Sequence, residues 1–360
     1  MMNDLIKKIA KLPKRERHYY MVQVMFEDKW GIKDTDMLAT LKRYPPEQRD
    51  VLIKAMPAGY APIVTANLEK VAPGNDKTVA GVERKMALVL KAIPAYARKT
   101  ESIMKVVNKT VLANRRLLRS VFAERGDAIS DALRGRPRPL VQKPYPKNAV
   151  VIELPKPDRS VVTKADIYNL IEKRQSRRKY TNQPLSLAEL SYLLWATQGV
   201  RRVSPDGKMS NRTVPSGGSM HPFETYVIVN NVEGVKPGLY RYQAIDHKLA
   251  FLREIKNRQD AVSVANLGQK FVGYCAATFI WTAVPYKTEW RYVTESAKLI
   301  LLDAGHVCQN FYLACESIGC GTCAIGAYDQ KKIDKLLKVD GSNELVVYLA
   351  PVGRVAVEKV

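Results

Sequence analysis

The chain has 360 residues, enough for two domains, and its 46% hydrophobic and 26% charged residues are the composition of a globular protein. No stretch of about 18 uncharged apolar residues offers a membrane-spanning helix. The basic start, Met1 to Arg17, lacks the continuous apolar core of a secretory signal. The net charge of +23 is uneven, with 30 Lys and Arg against 15 Asp and Glu in residues 1–150 and 28 against 20 in residues 151–360.

That bias makes the N-terminal region the place for an anionic partner, whether a nucleic acid, an acidic membrane surface or an acidic protein. A merely solvated basic surface fits the charge equally well. Residues 1–110 read as helical. Leu5, Ile6, Ile9 and Leu12 share one face, ringed by Lys7, Lys8 and Lys11. Prolines at 45, 46, 57, 62, 73 and 94 cut the region into short helices. Asp50 to Met56 and Val82 to Ile93 carry helix-period apolar residues. No zinc or RNA-binding signature stands out.

Residues 111–159 form a bridge. Leu112, Arg115, Arg116, Leu117, Leu118, Arg119 and Val121 make a basic amphipathic segment. Prolines at 137, 139, 144, 146, 155 and 157 then favour an extended arm wrapped on the next domain.

From residue 160 to 360 the pattern is α+β. Thr163 and Asp166 have capping-box spacing ahead of Ile167, Leu170 and Ile171, as do Ser186 and Glu189 ahead of Leu190, Leu193 and Leu194. Thr225 to Val229 reads as a strand. Gly238 to Tyr242 and Leu249 to Leu252 form a hairpin around Asp246 and His247. Ala276 to Val284 and Glu344 to Pro351 are apolar strands. Glu295 to Ile318 is a long helix, apolar over more than one narrow stripe. Helices flanking a sheet of antiparallel leaning give an α+β domain.

The five cysteines, at 275, 308, 315, 320 and 323, all fall in this half. An odd number without an export signal fits reduced thiols and the cytoplasm. Cys320 and Cys323 have C-x-x-C spacing, but no second pair completes a metal site, so buried thiols are the default reading.

Four segments carry the chemistry. Arg174 to Tyr180 concentrates arginines and a hydroxyl that can hold a phosphate by charge-assisted hydrogen bonds, though a solvated helix end would look the same. Val214 to Pro222 has two glycines that let backbone approach a flat ring, or form a simple turn. Gly319 to Asp329 places small residues and backbone N–H groups after the long helix. Pro351 to Arg354 leaves an arginine at the end of the last strand.

In this order the four segments resemble the nitroreductase superfamily, and within it the branch that includes thiazoline and oxazoline dehydrogenases. The resemblance covers about 200 residues, from near Ser160 onward, and does not reach residues 1–105. It implies a nitroreductase-like fold, with a mixed sheet flanked by helices, and FMN shared between the subunits of a homodimer. It points to Arg174, Gln175, Ser176 and Arg178 for the FMN phosphate and part of the ring. Pro215, Ser216, Gly217 and Ser219 are the loop that reaches the flavin across the dimer. Gln269 falls at the amide that meets the pyrimidine edge, Gly326 and Ala327 at the stretch facing flavin N5, and Arg354 at a phosphate contact. No general acid or base is implied, because flavin carries the chemistry itself. Tyr286, Trp290, Arg291 and Tyr292 could line the substrate face or be packed loop aromatics.

Three functions follow as expectations. The first is an oxidoreductase passing electrons from NADH or NADPH to a nitroaromatic, quinone or similar small acceptor. The second is a dehydrogenase of azoline rings in a modified peptide. The third is a redox-sensing flavoprotein with a nucleic-acid- or partner-binding N-terminal module.

Overall fold

The computed structural model describes residues 106–124 and 129–356. The helices expected in residues 1–105 lie outside that range. A helix over residues 106–114 belongs to the first of two units, Met1–Arg116; everything below belongs to the second, Leu117–Val360.

The second unit is built on a seven-stranded sheet. Its strands are β1 (Val151–Glu153), β4 (Phe223–Val229), β5 (Gly238–Gln243), β6 (Lys248–Arg253), β7 (Ala277–Ala283), β8 (Cys320–Thr322) and β9 (Leu345–Arg354), in the order β1-β6-β5-β4-β7-β9-β8. All these pairs are antiparallel. A parallel bridge from Ser176 to Thr322 extends the edge and makes the pairing mixed. The strands β2 (Val200–Val203) and β3 (Ser210–Arg212) form a separate ribbon. Among the described residues seven α-helices accompany the strands: α1 (Ile167–Lys173), α2 (Leu187–Gln198), α3 (Arg258–Ala265), α4 (Lys270–Gly273), α5 (Tyr286–Tyr292), α6 (Ser296–Ser317) and α7 (Gln330–Leu337).

Period-two alternation along β4 and β7 divides the core into two layers. Val227, Val229, Phe279 and Trp281 face α2 and α6, meeting Leu190, Leu193, Leu194, Val307 and Phe311. Tyr226, Ile228 and Ile280 face the other way, onto Val262 of α3, Val272 of α4, and Ile333 and Leu337 of α7. A strand apolar on both sides must be covered twice, and the helices do so. Phe311 fixes α6 over the sheet centre, its ring 4.5 Å from Phe279 and 5.5 Å from Trp281. Truncating such a side chain to alanine costs about 3–5 kcal/mol.

The two expected capping boxes differ in the structure. Ser186 and Glu189 form the reciprocal capping box expected of them, and α2 starts at Leu187. At α1 the cap is Asp166, whose side chain accepts from the Asn169 N–H. Thr163 instead donates its hydroxyl to the Ser317 carbonyl, binding this entry to the end of α6.

Residues 138–145 lie in no helix or strand, with a bend at 141–142, and leave main-chain carbonyls that need partners. Buried cations supply them. Arg212 and Lys287 donate to the Val141 carbonyl at 3.1 and 3.2 Å, and Arg241 donates to Pro144. Lys287 is also paired with Glu224 at 2.7 Å, and both are almost fully buried.

Candidate functional site

The edge formed by β8 and β9 organises the first cluster. After α1 the chain runs along this edge, with the Arg177 N–H donating to Thr322 and the Thr181 N–H to Arg354. A Cβ on Gly321 would meet the Arg177 Cβ at 2.8 Å, and one on Gly353 the Tyr180 Cβ at 2.8 Å, so the two glycines admit the segment. Arg177 faces inward and pairs with Glu316 at 3.2 Å. Arg174 and Arg178 do not: among the described residues neither has a carboxylate partner, and they lie over the rings of Tyr312 and Phe271 at 5.2 and 5.9 Å. Gln175 and Ser176 are exposed beside them.

Tyr312, on α6, joins this cluster to the loop after β8. Its hydroxyl is 2.8 Å from the Ser176 hydroxyl and accepts the Ala324 N–H at 2.8 Å. Gly326 and Ala327 follow, both exposed, with open space where a Gly326 side chain would stand. Gln269 caps α4 and donates from its amide to the Ala327 carbonyl at 3.0 Å. Arg174, Ser176, Arg178, Gln269, Gly326 and Ala327 are therefore tied, directly or through Tyr312 and Phe271, to one edge of the sheet. Arg354 is committed elsewhere, to the Glu189 carboxylate and, at 2.6 Å, to the Ile318 carbonyl.

The Pro215–Ser219 loop forms a second cluster, held by Asp303 of α6. Asp303 accepts from the Ser216 hydroxyl at 2.5 Å and the Gly217 N–H at 3.2 Å. Burial pushes its carboxyl above the usual range, and those two donors oppose the shift. Asp303 and Tyr312 are nine positions apart on one helix, about 13 Å along its axis at 1.5 Å per residue. The two clusters are thus separate along α6.

Of the aromatics expected near a substrate, three are held by Phe122, Asp131 and Arg136. Tyr286 donates to Asp131 at 2.9 Å, Trp290 donates to the Arg136 carbonyl at 3.0 Å, and Tyr292 meets Phe122 edge-on. Arg291 lies over the Tyr292 ring. Cys320 and Cys323 are buried in opposite layers of the core. Burial pushes the Cys320 thiol up to about 12. Among the described residues no group of three or more metal-ligating side chains occurs, and no helix is long and apolar enough to cross a membrane.

Sequence reading missed Tyr312, Asp303 and Phe271. The signal for Asp303 was a carboxylate inside an apolar stretch of the long helix. For the two aromatics there was none beyond helical spacing.

The fold is a three-layer α+β domain with cationic and small-residue segments gathered at one sheet edge. The family model "Nitroreductase family" matches residues 171–354, and the chain belongs to that family. It is 32% identical over 203 residues to a protein of Methanocaldococcus jannaschii that carries the nitroreductase name, covering 56% of this chain and 96% of that one. It is 28% identical over 141 residues to a trifolitoxin-processing protein of Rhizobium leguminosarum bv. trifolii, covering 37% of each chain. Among solved structures, one carrying the nitroreductase name from Ralstonia eutropha JMP134 is similar with 29% identity and a TM-score of 0.48, covering 62% of this chain and 100% of that one.

Proposed function

We propose that the chain is an FMN-dependent oxidoreductase that takes electrons from NADH or NADPH and passes them to a nitroaromatic, quinone or similar small acceptor. The supporting observation is the convergence of Arg174, Ser176 and Arg178 with Gly326, Ala327 and Gln269 at one edge. The donor set suits the group. Two guanidiniums without carboxylate partners among the described residues and a nearby hydroxyl match a phosphate dianion. Exposed small residues leave room for a flat ring. Bound FMN supplies the two-electron chemistry. The protein's part is to hold the phosphate with Arg174 and Arg178, to fix the Ala324–Ala327 backbone through Tyr312, and to orient the amide of Gln269. Anaerobic stopped-flow mixing of the FMN-loaded protein with each nicotinamide tests the reading. If neither NADH nor NADPH bleaches the flavin, the reading fails.

A second reading draws on the likeness to a trifolitoxin-processing protein. It makes the chain a dehydrogenase of azoline rings in a modified peptide, with the basic N-terminal region available to an acidic leader. Anaerobic reduction of the flavin by an azoline peptide, but not by nicotinamides, would select it. The division into residues 1–110, 111–159 and 160–360, and a nucleic-acid- or partner-binding role for the first, are carried by sequence alone. Most of that first region lies outside the described residues.

A further inference from the structure

We infer that Asp303 is a positioning residue for the Pro215–Ser219 loop, and that Ser216 serves the loop rather than the cofactor. This leaves Pro215 and Ser219 as the loop groups that meet the flavin. The inference rests on the flavin reading and refines it.

Three observations carry it. First, Asp303 is 4% exposed and forms no salt bridge among the described residues, with His306, one turn along α6, acting on it less than the two loop donors. A buried carboxylate needs compensation, and here the loop provides it through the Ser216 hydroxyl and the Gly217 N–H. Second, the Ser216 hydroxyl has its one proton committed within the protein. It donates to Asp303 and accepts the His221 N–H at 2.9 Å, closing a ring across five residues of loop. The Ser219 hydroxyl, by contrast, has no hydrogen-bond partner among the described residues, and Pro215 is exposed.

Third, the loop backbone needs holding. Gly218, Ser219 and His221 have φ of 57°, 54° and 45°, a left-handed region that side chains other than glycine rarely adopt. Gly218 is required twice over, because a Cβ there would lie 2.3 Å from the Tyr292 hydroxyl. The Ser219 carbonyl is tied down by Arg138 at 2.8 Å. Gly217 packs on Leu299 beside the exposed Leu301, Leu302 and Gly305 of α6, so the loop emerges on an open face of the helix. Asp303 therefore sets where Pro215 and Ser219 stand.

The test is FMN titration of the full-length chain, followed by flavin fluorescence and visible absorbance, with light scattering as a check on assembly. The variants are Ser216→Ala, Ser216→Thr, Asp303→Asn and the Ser216→Ala/Asp303→Asn double. Losing a hydrogen bond to a charged group weakens FMN binding about ten-fold in Ser216→Ala and in Asp303→Asn. Ser216→Thr keeps the hydroxyl and binds as wild type. The double variant is no weaker than Asp303→Asn alone, because both changes remove one contact. If the wild type binds FMN and Ser216→Ala binds it equally well, the assignment is overturned and the flavin reading stands. Fully additive losses also overturn it, since Ser216 would then touch the cofactor independently. A wild-type chain that refuses FMN overturns the flavin reading and this assignment with it. If Asp303→Asn does not fold, Asp303→Ala, which leaves no buried polar side chain behind, takes its place in the cycle with Ser216→Ala.

Discussion

Arg354, at the end of β9, holds the carboxylate of Glu189 near the start of α2. The same guanidinium donates to Ile318 just past α6, and Glu189 in turn accepts the Ser186 N–H at 2.9 Å. One side chain thus links the last strand, the first turn of α2 and the end of α6. Its removal leaves Glu189, which is 7% exposed, without its cation. Arg354→Ala is expected to lower stability by about 2–4 kcal/mol, measured by urea unfolding. Its effect on FMN affinity is expected to be smaller. The opposite result, an unchanged midpoint with lost FMN binding, would restore the phosphate role implied by family resemblance.

Tyr312 bridges two segments that sequence placed far apart. Tyr312→Phe leaves the Ala324 N–H without its acceptor, at a cost of about 1–3 kcal/mol. It also frees the Ser176 hydroxyl. FMN affinity is expected to fall several-fold by fluorescence titration. Arg174→Ala and Arg178→Ala are expected to weaken it further, by about 10- to 100-fold each if they hold the phosphate. Equal binding by both arginine variants would move the phosphate elsewhere.

His221 gives the fold a pH dependence. Burial, with Arg212 and Lys287 nearby, pushes its imidazole down to about 3. The unfolded chain binds this proton near pH 6.5 and the folded chain only near 3, so stability rises with pH across that window and is lost on acidification. One such group removes about 3 kcal/mol between pH 7 and pH 4. His221→Asn suits the residue's φ of 45°. Its urea midpoint is expected to fall less steeply with acidification than that of the wild type. Parallel pH profiles would show that His221 is not the group responsible.

What was legible in the sequence was local. Ser186 and Glu189 are three positions apart, and their hydrogen bonds follow from helix geometry alone. The strands β4 and β7 and the long helix α6 were visible because each is apolar over many residues. The ribbon β2–β3 was not, because Arg201, Arg202 and Asn211 face water and only short stretches are paired. Nor was β8, whose Cys-Gly-Thr carries no strand pattern and is defined by its partner Val352–Arg354. Within the site, residue types were legible but their partners were not. Arg174 and Arg178 read like Arg177, yet only Arg177 finds Glu316, 139 positions away. Arg354 reads as a cation at a strand end until the fold brings Glu189 to it.

The cysteines illustrate the same limit. Cys320 and Cys323 have the spacing of a redox pair, but an odd separation along an extended segment sends them to opposite layers. All five thiols are buried. A thiol reagent at pH 8 is expected to modify none in the native protein and five after denaturation. Cys320→Ser is expected to leave nicotinamide-driven flavin reduction unchanged. Rapid loss of two thiols in the native state would indicate an accessible pair.

The outer face of α6 bears on assembly. Leu301 and Leu302 are 55% and 51% exposed, Gly305 next to them has open space above it, and Ile167, Tyr168 and Ile171 of the neighbouring α1 are also exposed. Exposed apolar side chains on two packed helices mark surfaces that associate. Within one subunit the Pro215–Ser219 loop and the arginine cluster are separated along α6. A homodimer packed through this face would let the loop of one subunit complete the flavin site of the other. Leu302→Glu places a charge on the face without touching either cluster. Light scattering is expected to show a monomer, and FMN affinity to fall in parallel. A Leu302→Glu dimer would put the interface elsewhere. A monomer that still binds FMN at wild-type affinity would show that each subunit holds its flavin alone.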